Sequence, residues 1–572
     1  MLLLRGFLGL ARQDADAGAG VVIAWSLLER AQGVAPQAVE EILMTPGTGI
    51  WVTSVLRQLQ GDKSARPLPL RVAAGRLSAM AIAAATRARL SFSLEVPIQW
   101  GIVSLPGLGC VRFEERRRRA WAIGRASGQG GSLRIVDAAG AEVRTGPDWR
   151  HHVPGWSPTC RLTVGRRGDA LDLVLDEHDP CRNFSTPQEP RLLSGEEKEA
   201  WRLVLTEAWN ILTRDDSEVA EEIRRGPLLS IAPVEAREEF RPYSSSAGEA
   251  FGGISASLPD TSLQFAATLV HEFQHIKLGA LIHLESLARR LESPKDRLEL
   301  FYAPWRDDPR PLEGLIQGFY AFFGVARFWR AHRRKSEGSG SLLADFEFAL
   351  CRDQVWSVLT GLRRHHRLTA AGRQLVDLVI EHCDAWRAEE VSRTGMRLAR
   401  DAIVDHSARW RAHHLRPDVR AVDETVRAWR RGDALPPVSL GAPPRTVPDA
   451  QAVSLDVAAT LARHVITDST GEWASRAEAK VGGATRADVL LALGERPAAR
   501  RGLLEQMETQ DPPAASWALL GRALADDPVH HEAARFLLRF PERARAVQEA
   551  LTAAGVRPSD PLRLATWLAN GG

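Results

Sequence analysis

Across residues 1–89 apolar positions recur at helical spacing. Val21-Val-Ile-Ala-Trp-Ser-Leu-Leu28 and the stretch 77–85 offer Ala- and Leu-rich faces, separated by Pro67 and Pro69. The apolar start, Met1-Leu-Leu-Leu-Arg5-Gly-Phe-Leu-Gly-Leu10, has no basic stretch before it and no clear small-residue cleavage site, so it reads as a packed first helix. From Leu90 the period changes. Segments 91–97, 109–113, 132–136 and 171–175 alternate apolar with polar residues between turn residues, which predicts a β-rich layer over 90–190. Helix returns at Ser194-Gly-Glu-Glu197, a start signal with acidic first-turn residues. Two short apolar runs, 228–232 and 250–258, then read as strands leading into a helix from Asp260 or Thr261 to about 291.

A polar turn at 293–296 precedes a second helix over 312–329, with Pro311 near its first turn. Gly314, Gly318 and Gly324 sit on or near one side of it, where another helix could approach closely. Residues 338–341 read as a Gly/Ser linker, followed by long helices to about 431 with a start signal at Thr369. A Pro-rich boundary at 435–448 precedes Ala- and Leu-rich helical pairs that run to the end without a sustained repeat. The pattern thus divides the chain into a helical region 1–89, a β-rich region 90–190, a core 191–336, a helical region 337–434 and a helical interaction module 450–572. The fold class is α+β, mostly helical.

Composition narrows the function. With 74 Lys+Arg against 71 Asp+Glu the net charge is +3 over 572 residues, which argues against a general nucleic-acid binder. The basic runs at 114–120 and 330–335 read as solvated faces. Five cysteines without a C-x-x-C pair fit a reducing compartment. No apolar run is long enough to cross a membrane, so a cytoplasmic location is expected. Arg exceeds Lys and Ala is abundant, as in a GC-rich bacterial coding sequence.

Within the core, Thr268-Leu-Val-His-Glu-Phe-Gln-His-Ile-Lys277 contains H-E-x-x-H. On a helix, His271 and His275 project from one face, close enough to bind one divalent metal. Chance alone gives such a motif in roughly 3 chains per hundred of this composition, so context must support it. Leu269, Val270, Phe273 and Ile276 do so, because they give the segment the spacing of a buried helix. In the zinc-peptidase reading Glu272 is the general base. A third ligand is needed. His283 and Glu285 lie roughly 12 and 15 Å further along the helix at 1.5 Å per residue and cannot share the metal. Asp307, Asp308 and Glu313 follow a chain reversal and remain candidates. Two His and a carboxylate also form the facial triad of non-haem Fe(II) oxygenases, so the motif leaves hydrolysis and oxidation open. The strand at 250–258, including Phe251, Gly252, Gly253 and Ile254, is a candidate exposed edge that would bind an extended peptide; it reads equally as an interior strand.

The stretch 250–329 resembles the α-ketoglutarate-dependent HExxH-type peptide β-hydroxylases. The resemblance rests on Ala250-Phe-Gly-Gly253, Ser257-Leu-Pro259, Thr268-Leu-Val-His-Glu-Phe-Gln-His275, Lys277-Leu278, Tyr302-Ala-Pro-Trp-Arg-Asp-Asp-Pro-Arg-Pro311 and Gly314-Leu-Ile-Gln-Gly318. It implies Fe(II) at His271 and His275, 2-oxoglutarate as co-substrate, and a ribosomally made precursor peptide as substrate, often modified beside a radical SAM enzyme. In that reading Arg306 and Arg310 are candidates to hold the distal carboxylate of 2-oxoglutarate, with Arg241 and Lys277 as weaker ones. The same Arg and Asp residues read equally as pairs that fix a loop. The expectation is a zincin-like central metal domain that hydroxylates a peptide residue at its β-carbon, the alternatives being a zinc metallopeptidase and a metal-free peptide-binding scaffold.

Overall fold

A computed structural model of the chain describes every residue except 1, 12, 15–16, 62–67, 114–120, 167, 185–186, 236–237, 292–298, 438–440, 469, 509–511, 557–559 and 571–572, and the side chains of 2 and 3. The basic run at 114–120 and the turn expected at 293–296 lie outside the described residues. The fold is α+β and mostly helical, in two compact units, 1–237 with 242–280 and 238–241 with 281–572. The segment 191–336 is therefore divided between them, at Ala280 and Leu281 inside the helix that carries His271 and His275.

The first unit opens with α1 (Leu2–Ala11), α2 (Gly18–Val34), α3 (Pro36–Leu43), α4 (Pro46–Leu59), α5 (Leu70–Ala74) and α6 (Arg76–Arg87). Alanine allows α6 to be buried on all sides, because its small side chains let α2 and the adjoining sheet approach together. Among the described residues nine strands follow: β1 (Phe92–Gln99), β2 (Ile102–Leu105), β3 (Gly109–Arg112), β4 (Trp121–Gln129), β5 (Ser132–Val136), β6 (Glu142–Thr145), β7 (Trp156–Pro158), β8 (Cys160–Val164) and β9 (Leu171–Leu175). The first seven make an antiparallel sheet in the order β6-β5-β4-β1-β2-β3-β7. Its end strands approach one another, so the sheet is nearly closed. Val96, Val103, Ala126 and Ile135 join α2 and α6 in one continuous core. The β-rich region is thus more than one layer, since β8 and β9 belong to a second sheet.

That second sheet is completed after α7 (Gly195–Asp215), whose Ser194–Glu197 capping box is the start signal seen in the sequence, and α8 (Ser217–Arg225). Its remaining strands are β10 (Ser230–Val234), β11 (Ser244–Ser246) and β12 (Gly253–Ser257), in the order β11-β12-β10-β9-β8. β9, β10 and β12 run parallel, and the strand at each edge is antiparallel to its neighbour. Every residue of β12 is buried, the pattern of a strand covered on both faces. The exposed edge expected at 250–258 is therefore corrected: β12 is interior and the edge is β11. Gly252 and Gly253 are needed for close packing. Gly252 has φ +85° and a Cβ there would overlap the Pro227 carbonyl oxygen; a Cβ on Gly253 would lie 2.6 Å from Pro46 Cβ. The metal-motif helix, α9 (Ser262–Leu284), follows β12 directly and stops short of the expected 291.

The second unit is almost wholly helical. It contains α10 (Leu312–Arg333), α11 (Gly338–Leu362), α12 (Ala370–Arg387), α13 (Arg393–His414), β13 (Leu415–Arg416), α14 (Val419–Arg431) and β14 (Arg445–Thr446). Then come α15 (Val457–Thr467), α16 (Trp473–Lys480), α17 (Arg486–Ala492), α18 (Arg496–Glu508), α19 (Ser516–Ala523), α20 (His531–Arg539), α21 (Pro541–Ala553) and α22 (Pro561–Ala569). Thr369 caps α12 as expected, but 338–341 is the first turn of α11 and not a linker. Gly318 admits an indole: a Cβ there would overlap Trp305, and one on Gly314 would lie 3.2 Å from Arg310 Nε. Nor is 330–335 simply a solvated face, since Arg330 pairs with Glu389 at 2.5 Å and Arg333 with Asp345 at 2.7 Å.

The C-terminal segment is not freestanding. Phe346, Leu350, Ala399 and Ala402 share one core with Ala458, Ala462 and Ile466, and Val426 and Ala428 share another with Trp517, Leu537 and Leu564. Residues 450–572 thus complete the cores of 337–434.

Candidate metal centre

Local chemistry fixes where α9 begins and how it is rotated. The Gln264 N–H donates to Thr261 Oγ1 at 3.2 Å and the Asp260 N–H to Gln264 Oε1 at 3.0 Å, which satisfies amides at the exposed end of the helix. Ser262 Oγ donates to Glu207 on α7 at 2.7 Å, and Trp201 meets Phe265 edge-on at 5.6 Å. Phe273 fills the space left by Gly226, where a Cβ would collide with its ring. Burial of Leu269, Val270, Phe273 and Ile276 then leaves the two histidines together on a partly exposed face.

The Nε2 atoms of His271 and His275 are 3.1 Å apart, with the rings 4.7 Å apart at 77°. Two imidazoles bound to one ion at about 2.0–2.1 Å, with an angle of about 90–110° between the bonds, have nitrogens about 2.9–3.4 Å apart. The pair already has a metal's spacing. Without a metal the same distance suits a single N–H···N hydrogen bond. Burial pushes the His271 imidazolium pKa down to about 4; Glu272 opposes this and His275 adds to it. The ring is therefore neutral at physiological pH, the form in which an imidazole can bind a metal.

Glu272 is 1% exposed. Its Oε1 lies 4.0 Å from His271 Nε2, and among the described residues its Oε2 has no hydrogen-bond partner. A buried carboxylate oxygen without a donor is costly unless a cation or a substrate proton meets it. Two converging imidazoles and this orphaned oxygen fit a divalent metal.

The candidate third ligands belong to the second unit, and each is engaged there. Asp307 accepts from the Ser454 N–H at 2.7 Å and the Leu455 N–H at 2.8 Å, while its carbonyl accepts from His414 Nε2 at 2.7 Å. Glu313 pairs with Arg367. Asp308 receives Arg306 Nε and Arg310 Nη1, each at 2.9 Å. Burial raises its pKa, but the bonds and charge of Arg310 and Arg306 outweigh this and hold it below the ordinary carboxylate range. Phe301 and Arg310 exchange backbone hydrogen bonds of 2.8 and 2.9 Å, which closes the loop. The Asp/Arg pairing that fixes a loop is what the structure contains. Arg241 is held by Gly482 O at 2.8 Å and Asp456 at 2.7 Å, and Lys277 by Glu222 at 2.5 Å.

Two features escaped the sequence reading. The edge strand β11, Ser244-Ser-Ser246, lacks the apolar alternation that marks a strand. Glu299, His365 and His366 bring one ligand atom each within 4.8 Å of one another, and their only signal was the adjacent histidine pair. Among the described residues no helix is long and apolar enough to cross a membrane. No family model matches the chain, and no curated protein matches it at a significant level.

Proposed function

We propose that this chain is a metal-dependent enzyme acting on a peptide, and that the reaction is Fe(II)/2-oxoglutarate-dependent β-hydroxylation of a residue in a ribosomally synthesised precursor peptide. The observation that carries the metal is the 3.1 Å approach of His271 Nε2 and His275 Nε2 beside the orphaned Glu272 carboxylate. The resemblance of 250–329 supports iron and 2-oxoglutarate. A zincin-like arrangement is supported by the order of elements, a mixed sheet with an antiparallel edge strand followed by the H-E-x-x-H helix.

His271 and His275 would hold the iron. Bound iron with 2-oxoglutarate supplies the oxidising power to place one atom of O₂ on a carbon while the co-substrate becomes succinate and CO₂. The buried Glu272 would orient a ligand or substrate by accepting its proton in a hydrogen bond. β11, one strand removed from the strand that leads into α9, offers backbone groups to an extended peptide, whose alternate side chains would then face the helix.

One observation favours a second reading. A buried carboxylate with a free oxygen beside the two imidazoles is also what a zinc peptidase needs as general base. Anaerobic reconstitution with Fe(II), followed by 2-oxoglutarate, O₂ and the precursor peptide encoded nearby, decides between them. The expected result is stoichiometric succinate and one added oxygen that carries label from ¹⁸O₂. Zinc-supported cleavage of the peptide without oxygen incorporation would establish the peptidase.

A further inference from the structure

We infer that Glu299, His365 and His366 form a second binding site for a divalent first-row metal ion, wholly within the second unit and independent of His271 and His275. The three residues bring one ligand atom each within 4.8 Å of one another. His365 Nε2 and Glu299 Oε2 are 3.0 Å apart, within the roughly 2.9–3.4 Å expected of neighbouring ligands around one ion at about 2.0–2.2 Å. His366 stacks on His365 with centroids 4.7 Å apart and planes at 29°, so adjacent imidazoles occupy the same side of the turn. Side chains at i and i+1 ordinarily diverge, and here the turn between α11 and α12 brings them together.

The surrounding chain holds this turn in place. The His365 N–H donates to Leu362 O at 2.8 Å and the Leu368 N–H to His365 O at 3.1 Å. The turn is tied to 287–289 by Thr369 N–H to Leu287 O at 3.1 Å and Arg289 N–H to Arg367 O at 2.8 Å. Phe301, two residues from Glu299, is fixed by its backbone pair with Arg310 and packs edge-on against His365 at 5.3 Å. The turn carrying the two histidines, and Phe301 beside Glu299, are thus held by backbone bonds before any ion arrives, which lowers the ordering cost of binding.

Two imidazoles and one carboxylate suit Zn(II), with a fourth position open to water. Glu299 and His366 are both exposed, so their side chains have room to turn toward the ion. Loading displaces the proton shared by His365 and Glu299 and forfeits the long 3.3 Å hydrogen bond from the Arg367 N–H to His365 Nδ1. The bound ion would fasten the segment at 299 to the α11–α12 turn.

The test uses the full chain carrying His271→Ala and His275→Ala, so it does not depend on the proposed function. After equilibrium dialysis against Zn(II), metal analysis should find one zinc per chain, and Co(II) in its place should give the visible bands of a low-symmetry site. Adding His366→Gln, an exposed change compatible with folding, should weaken zinc binding at least about tenfold. Adding Glu299→Gln and His365→Ala as well should abolish it, with circular dichroism confirming the fold. Absence of zinc from the His271→Ala/His275→Ala chain would overturn the inference, and so would zinc binding unchanged by His366→Gln.

Discussion

The imidazoles of His271 and His275 converge because residues four apart on a helix share a face, and burial of Leu269, Val270, Phe273 and Ile276 leaves that face partly exposed. Replacing either with Ala is expected to lower bound iron by one equivalent per chain and to abolish turnover; metal analysis of both variants checks this, and unchanged iron in both would remove the assignment. Glu272 separates the two chemical readings at the level of one oxygen. Glu272→Gln should keep the iron and leave succinate formation detectable in the hydroxylase, whereas a peptidase would lose its base and its activity by about 10²-fold or more. The spacing of the histidines was legible in the sequence because it is local. The orphaned oxygen was not, because it arises from the packing of α9 against its neighbours.

At the scale of elements, periodicity found most strands and helix starts and failed where position within a sheet mattered. The residues of β12 fit an edge strand and an interior strand equally well in sequence, and it has β10 on one side and β11 on the other. The edge fell to three serines that carry no apolar signal. Likewise Trp305-Arg-Asp-Asp-Pro-Arg310 was read for its chemistry, but its carboxylates bind backbone amides and guanidinium groups of the second unit. Asp307 joins the loop before α10 to the start of the segment carrying α15, and its two oxygens accept one amide each. Asp307→Ala should therefore destabilise the second unit by about 1–3 kcal/mol, because two N–H groups lose their acceptor, while iron at His271 and His275 is retained. Denaturant titration and metal analysis on the same sample check both halves. Unchanged stability of the Asp307→Ala chain would show that these two hydrogen bonds do not hold the second unit together.

Across the whole molecule, long-range pairing governs what a sequence-based division into five segments could not see. In the second unit, buried Asp405 takes Arg409 at 2.8 Å and Arg522 at 3.1 Å, and Arg409 also pairs with Asp488. Burial alone would raise the Asp405 pKa, but the two guanidinium groups overcome it and hold the carboxyl below its ordinary range. The folded chain then binds fewer protons than the unfolded chain as the pH falls toward the carboxylate range. This contribution is complete above the unfolded pKa of about 3.9 and is lost as the pH falls through the lower folded value. Asp405→Asn should lower stability at neutral pH and flatten the acid limb of the stability–pH profile of the second unit.

The same network decides what removal of the C-terminal segment would do. Ending the chain at 449 would delete Asp488 and Arg522 from around Asp405 and Arg409, and would take Ser454 and Leu455 from Asp307. It would also uncover Phe346, Leu350, Val426 and Ala428, whose cores the deleted helices complete. Among the described residues Asp405 and Arg409 would keep only each other, and breaking a buried ion pair by removing one partner costs about 3–5 kcal/mol, a large fraction of the stability of a whole domain. The truncated chain should therefore lose the cooperative structure of α11 and α13, whereas removal of a separate binding module would spare it. Amide hydrogen exchange reads this directly. Residues 342–412 should lose protection in the truncated chain, and protection equal to that of the full chain would show that 450–572 is dispensable to the second unit after all.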